Sequence, residues 1–194
     1  PNCSTTGMVM PLWPLHQANP IKRVIVDTFQ SVSGTGAAAV AELDSQIGQF
    51  RAGEAGTVEQ YSHQIAFNVL PHIGSFRDNG YTSEEMKMLQ ESRKIMHAPD
   101  MAISATCVRV PVPICHSEAI HVEMERPMSA DEAREVMAAF PGVIVTDDPA
   151  NAAYPMPIDV SGRDEVFVGR VRQDVSHPNG IAMWVVSDNL RKGA

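Results

Sequence analysis

The chain has 194 residues, with 15 Lys and Arg against 23 Asp and Glu, a net charge of −8. Hydrophobic residues make up 44%, enough to build a packed core and too many for a disordered chain. The acidic balance argues against nucleic acid or an anionic membrane as the main partner. Three cysteines, Cys3, Cys107 and Cys115, form neither a disulfide framework nor a standard zinc spacing. That favours a reducing, cytoplasmic setting and no metal. No apolar run reaches the length of a membrane span, and no basic segment opens a signal peptide.

The first element is read from Asn2-Cys3-Ser4-Thr5-Thr6-Gly7 and the apolar Met8–Trp13 that follows. Ser4, Thr5 and Thr6 are good helix N-cap types, so the pattern places Cys3 at or just before a helix N-terminus. The dipole there favours an anion and eases loss of the thiol proton, and the thiolate is the nucleophile. An open thiol is expected near its ordinary pKa of ~8.5 unless the helix terminus lowers it. The bland alternative is a small buried cysteine.

Residues 21–30 are rich in β-branched residues and read as a strand. It ends at Gln30 in a small-residue turn, Ser31-Val32-Ser33-Gly34-Thr35-Gly36, where backbone can approach a ligand closely. Gly34 and Gly36 begin a G-x-G, but the third glycine of a dinucleotide fingerprint is missing. A helix follows from Ala37 to about Phe50, with Val40, Leu43, Ile47 and Phe50 at helical spacing. Thr82 with Glu85 fits a capping box opening a helix through about Met96. Glu84 and Lys87 lie three apart on it, which by itself predicts an exposed ion pair.

Strands are expected over residues 103–112 and 119–125, with Arg109 inside the first. A charge in an apolar strand needs a partner, either an internal carboxylate or a bound one. His116 falls in the loop between these strands, where a lone histidine is more often structural. Ser129 with Glu132 caps a helix carrying Ala133, Val136, Met137 and Phe140 on one face. Short strands follow at 143–145, 165–172 and 181–187, the last two joined by an Asn179-Gly180 turn. Asp188-Asn189 reads as the cap of a further helix. The order predicts an α+β fold, a mixed, largely antiparallel sheet with helices packed on one face.

Taken together and in order, several motifs resemble aspartate-β-semialdehyde dehydrogenase. They are Pro1-Asn2-Cys3-Ser4-Thr5, the Ser31–Gly36 turn, residues 65–71, the Arg109–His116 segment, residues 165–170 and residues 184–194. The resemblance spans nearly the whole chain. It implies a fold like the C-terminal domain of glyceraldehyde-3-phosphate dehydrogenase, with residues 1–194 forming the catalytic and dimerisation domain. It also implies NADPH-dependent reduction of 4-phospho-L-aspartate to aspartate semialdehyde through a cysteine thioester. This step serves lysine, methionine, threonine and diaminopimelate synthesis. By the same resemblance Cys3 is the nucleophile, His116 the acid/base and Gln30 the group that orients the intermediate. Arg109 holds the substrate carboxylate, Glu84 faces its amino group, and Lys87 and Asn2 face phosphate. Ser33 and Gly34 lie near the nicotinamide. Cys115 stands where a small residue, often glycine, is expected.

The chain opens on Pro1 and stops at Ala194, which suggests a piece of a longer protein. The resemblance implies an N-terminal NADP-binding Rossmann domain outside it, without which the chain is expected to be inactive. A homodimer is expected, with aspartyl phosphate and phosphate as small-molecule partners and no nucleic acid or membrane. Other readings are a related N-acetyl-glutamyl-phosphate reductase, a Cys–His hydrolase, or a dimerisation module without catalysis of its own.

Overall fold

The computed structural model describes residues 1–193; Ala194, the last residue of the C-terminal motif, lies outside the described residues. The chain runs α1 (Cys3–Ala18), β1 (Ile21–Gln30), α2 (Ala37–Arg51), α3 (Ser83–Ile95), β2 (Ala102–Arg109), β3 (His116–Met124), α4 (Ala130–Ala138), β4 (Val143–Val145), α5 (Pro157–Val160), β5 (Val166–Gln173) and β6 (Gly180–Ser187). The six strands form one sheet in the order β2-β1-β3-β6-β5-β4. The outer pairs β1/β2 and β4/β5 are parallel, and the three inner pairs are antiparallel. The expected α+β class and mixed, largely antiparallel sheet are therefore found.

Helices α1, α3 and α4 pack over one face of this sheet. Met8, Leu12 and Leu15 of α1 recur at the helical period and are buried. Beneath them, alternate strand residues supply the other half of the core. The register arranges these in rows across β2, β1, β3 and β6. Ile103, Val24, Val122 and Ile181 form one row, and Ala105, Val26, Ile120 and Met183 the next. Cys107, Thr28, Glu118 and Val185 follow. Arg109 stands opposite Gln30, and His116 opposite Ser187, at the end of the sheet. All these side chains are buried.

Helix α1 lies close over the third and fourth rows because Gly7 has no side chain. A Cβ there would come 2.9 Å from Ser187 Oγ and 3.0 Å from Glu118 Oε1. Both Thr82 bonds of the capping box are present at α3. Ser129 caps α4 by accepting from the Glu132 N–H. Glu85 also reaches across to the sheet, where its Oε1 accepts the Cys107 N–H at 3.0 Å.

Four local expectations change. Asn2, not Ser4–Thr6, is the N-cap of α1, because its Oδ1 accepts the Thr5 N–H at 2.6 Å. His116 opens β3 rather than lying in a loop. On α2 the apolar stripe is only half used: Leu43 is buried, Val40 and Ile47 are partly so, and Phe50 is 58% exposed. Glu42 and Gln46 are buried instead, because the loop after α2 folds onto them. Gln46 Oε1 accepts the N–H groups of Ile65 and Ala66, and Glu42 Oε2 that of Gln60. Asp188 and Asn189 cap no helix. Asp188 accepts in a terminal turn, and Asn189 is drawn into the core.

Candidate active site

Cys3 is the first residue of α1, half-buried, and its Sγ lies 3.2 Å from His116 Nε2. The two are 113 residues apart and meet because α1 crosses the sheet end where β3 begins. His116 is 1% exposed. Its Nδ1 accepts the Ser31 backbone N–H at 3.0 Å, with Ser31 Oγ at 3.1 Å. Ser31 Oγ and Ser33 Oγ both lie in hydrogen-bond contact with Asn189 Oδ1, which also accepts the Cys115 N–H at 2.9 Å.

Arg109 closes another side. Its Nη1 donates to the Ser31 carbonyl at 2.6 Å, its guanidinium lies 6.0 Å from the Tyr61 ring centre, and its buried Nε has no partner. No carboxylate pairs with it among the described residues, so of the two readings of a charged residue in this strand the internal ion pair is not found. Gly34 lies against both groups. A Cβ there would meet Arg109 Nη1 at 3.0 Å and the His116 ring at 3.2 Å. Ser33 therefore belongs to the hydrogen-bond cluster behind the histidine, and Gly34 to the surface in front of it.

Gln30 is buried beside His116 and donates from Nε2 to Thr28 Oγ1 at 3.2 Å. Asn2 uses its Oδ1 for the cap and leaves Nδ2 buried and unpartnered. Glu84 sits close enough for its charge to act on Cys3. Lys87 lies 3.8 Å from Glu84 with a side chain 55% exposed, so it stands at the rim. The fold thus gathers Cys3, His116, Arg109, Gly34, Ser33, Gln30 and Asn2, with Glu84 and Lys87 at the entrance from α3.

Burial pushes the Cys3 thiol up, and the Glu84 charge adds to this; the N–H groups of Ser4 and Cys3 pull it down by less. The expectation of a thiol at or below its ordinary pKa is corrected accordingly. The helix-terminus effect is present, but desolvation of the thiolate outweighs it. Burial, then Arg109, brings the His116 imidazole down to about 3. Burial takes Cys107 and Cys115 up to about 12, leaving them inert. Cys115 packs against Val160, Phe167 and Val186.

Glu118 was not singled out by the sequence. It is 1% exposed, neither carboxyl oxygen has a partner, and burial raises its pKa well above the usual carboxylate range. Ser31 and Asn189 were also missed. Among the described residues no group of three or more His, Cys, Asp or Glu is arranged to hold a metal, and no helix is long and apolar enough to cross a membrane.

Comparison with known proteins places the chain in a family. The family described as "Semialdehyde dehydrogenase, dimerisation domain" matches residues 12–192. The chain belongs to that family. It is 53% identical to the aspartate-semialdehyde dehydrogenase of Legionella pneumophila and 54% identical to that of Aquifex aeolicus. The whole chain is covered in both comparisons, against 56% and 57% of the relatives. It spans little more than half the length of these curated relatives. The crystal structure of aspartate semialdehyde dehydrogenase II from Vibrio cholerae superposes over the full chain with a TM-score of 0.96 at 45% identity, covering 57% of that protein. The same enzyme complexed with ASA matches equally. A Candida albicans aspartate semialdehyde dehydrogenase with NADP superposes with a TM-score of 0.71 at 25% identity, over 99% of this chain and 52% of that one.

Proposed function

We propose that this chain carries the catalytic and dimerisation half of an aspartate-semialdehyde dehydrogenase. The observation that carries this reading is the Cys3–His116 contact beside a buried, carboxylate-free Arg109. The substrate is 4-phospho-L-aspartate and the product aspartate 4-semialdehyde, in cytoplasmic lysine, methionine, threonine and diaminopimelate synthesis. The kinship with enzymes of that name supports the substrate class. The family description supports a homodimer.

Arg109 is suited to the α-carboxylate. A guanidinium binds a carboxylate through a two-pronged contact, and its free Nε leaves a donor for one. Glu84 faces the substrate ammonium from α3. Lys87 at the rim and the unpartnered Asn2 Nδ2 face the phosphoryl oxygens. Cys3 attacks the acyl carbon, the C–O bond to phosphate breaks, and a thioester forms, dividing one difficult step into two. Gln30 holds the acyl group in line. After reduction of the thioester carbon, the tetrahedral adduct collapses to the aldehyde as its C–S bond breaks and the electron pair returns to the Cys3 sulfur, with His116 beside the sulfur throughout.

An open apolar groove of about 730 Å³ runs past this site, lined by Ser33, Val40, Leu43, Pro113, Ile114 and Leu190. The N–H groups of Gly34 and Gly36 are spent on the carbonyls of Ser31 and Ser33. These residues fit the flat, largely apolar face of a nicotinamide, not a pyrophosphate. NADPH bound there would supply the hydride, held mainly by a separate Rossmann domain.

The test joins the chain to the N-terminal domain of a curated relative. Phosphate-dependent oxidation of aspartate semialdehyde is expected with NADP, absent from the chain alone, and reduced by ~10⁴-fold or more in Cys3→Ala. Loss of only a few-fold in that variant, or turnover by the chain alone, would overturn the reading.

A further inference from the structure

We infer that Tyr61 is a positioning residue for the substrate carboxylate: its ring, tied down through Thr35, lies over the Arg109 guanidinium and fixes the plane of that group. This deepens the dehydrogenase reading and rests on it for the identity of the carboxylate.

Arg109 stands in an unusual setting. It is buried, and among the described residues no carboxylate pairs with it. Burial works against its charge, yet a guanidinium keeps its proton at any ordinary pH. A buried cation needs compensation from its surroundings. Two groups supply it. Nη1 donates to the Ser31 carbonyl at 2.6 Å, and Tyr61 presents its ring with the centre 6.0 Å away. The face of an aromatic ring is its negative side and attracts a cation, and this distance is the outer reach of such a contact.

The two contacts differ in what they fix. A single hydrogen bond holds one corner of a planar group and leaves it free to swing about that corner. A ring over the face restrains the swing. The unpartnered Nε is then kept in a set direction. Gly34 contributes by leaving room, since a Cβ there would stand 3.0 Å from Nη1.

Tyr61 is itself held from two sides. It stands in the loop after α2, and its hydroxyl donates to Thr35 Oγ1 at 3.0 Å. Thr35 belongs to the same turn as the Ser31 carbonyl that receives Arg109. The ring packs on a small cluster that includes Val32, Leu43, Ile65 and Leu70. Leu70 in turn exchanges both backbone hydrogen bonds with Arg109, at 2.9 and 2.8 Å. One loop therefore grips Arg109 twice, its backbone through Leu70 and its guanidinium through Tyr61. Gln46 secures the middle of that loop by accepting the N–H groups of Ile65 and Ala66.

A carboxylate needs two N–H groups in one plane to bind by the fork. A fork already held in its plane loses less freedom when the ligand arrives. Tyr61 thus acts on binding of the amino-acid end of the substrate, and not on bond-making at Cys3.

In the joined two-domain protein, Tyr61→Leu should raise the KM for aspartate semialdehyde about fivefold, the scale of a cation–π contact. The kcat and the KM for phosphate should stay within about twofold, because the lost contact serves only the carboxylate grip. Tyr61→Phe keeps the ring and should hold the KM for the semialdehyde within about twofold of the unaltered value. Thr35→Val removes the acceptor of the hydroxyl and should match Tyr61→Phe, and the double variant should be no worse than either alone. Tyr61→Met repeats the aliphatic arm if Tyr61→Leu folds poorly. A reading without substrate comes from the Arg109 Nε–H signal in ¹⁵N–¹H spectra, assigned by its loss in Arg109→Lys. It should move in Tyr61→Leu and keep its place in Tyr61→Phe.

Equal effects of Phe and Leu, an unmoved KM in Tyr61→Leu, a joint change in kcat and every KM, or an Arg109 signal untouched by Tyr61→Leu would each overturn the proposal. Failure of the unaltered joined protein to turn over aspartate semialdehyde would instead overturn the dehydrogenase reading. The Arg109 signal would still decide whether Tyr61 holds the guanidinium.

Discussion

The helix-covered face of the sheet has two ends built on one pattern. At one end the four-residue rows contain only Ile, Val, Ala and Met, lying under α1 and its neighbouring helices. At the other, two steps of the same alternation bring Thr28, Gln30, Glu118, His116, Arg109 and Ser187 to equivalent inward positions, under the N-terminus of α1. Spacing and burial are continuous; only the chemistry changes. The site is therefore the polar end of the core, not an array of loops laid on it. Its side chains are held by the same packing that stabilises the domain, which suits groups that must stay fixed. It also makes each of them costly to leave unpaired.

The difference between the ends can be broken most sharply at Arg109. Arg109→Ala in the joined two-domain protein should lower kcat/KM by roughly 10³-fold, the scale of losing a buried charge contact to a ligand. Arg109→Lys should recover only part of this, because an ammonium lacks the fork. If steady-state kinetics showed a few-fold change for Arg109→Ala, the polar end would be structural.

Leu12→Ala tests the apolar end. It should cost about 3 kcal/mol in urea unfolding, as a large-to-small change at a fully buried site. The pH profile of Cys3 alkylation should not move. A shifted profile would show that the two ends are not separable.

The smallest expected effect is at the border. Burial raises the folded-state pKa of Glu118 above its unfolded value, so the native state holds a proton that the unfolded chain gives up. Stability is then fully present below about pH 4.3, the ordinary Glu value, and declines as pH rises towards the folded-state pKa. Glu118→Gln should remove this decline. Its melting temperature should exceed that of the unaltered protein by a few degrees at neutral pH, with the gap closing towards pH 4. An equal gap at both pH values would mean that Glu118 is ionised in the native state.

The sequence carries the apolar end almost openly. The β-branched run of β1, the alternation of residues 119–125 in β3, the Thr82–Glu85 box and the Asn179-Gly180 turn are local signals, and the elements they predict are present. Cys3, His116 and Arg109 were legible through the motifs that carry the family resemblance, not through spacing. Ser31, Asn189 and Glu118 were not legible. Ser31 and Asn189 meet from 158 residues apart, and nothing local separates them from turn residues. Phe50 failed for the converse reason. Its helical spacing is right, but the loop after α2 folds onto Glu42 and Gln46 on another face, so it reaches no core.

Glu85 binds more than the start of its own helix. One carboxylate oxygen accepts the Thr82 N–H and the other the Cys107 N–H, which locks the first turn of α3 to the middle of β2. The approach from α2 is moored separately at Gln46. Between them Leu70 exchanges both backbone hydrogen bonds with Arg109 and Ile73 is buried in the core, so only the exposed turn at residues 78–80 can lengthen without moving Glu84 or Lys87, at a closure cost of only about 0.6 kcal/mol for each doubling. Natural variation in length should therefore gather in that span, and it offers a place to insert a reporter without disturbing the substrate's approach.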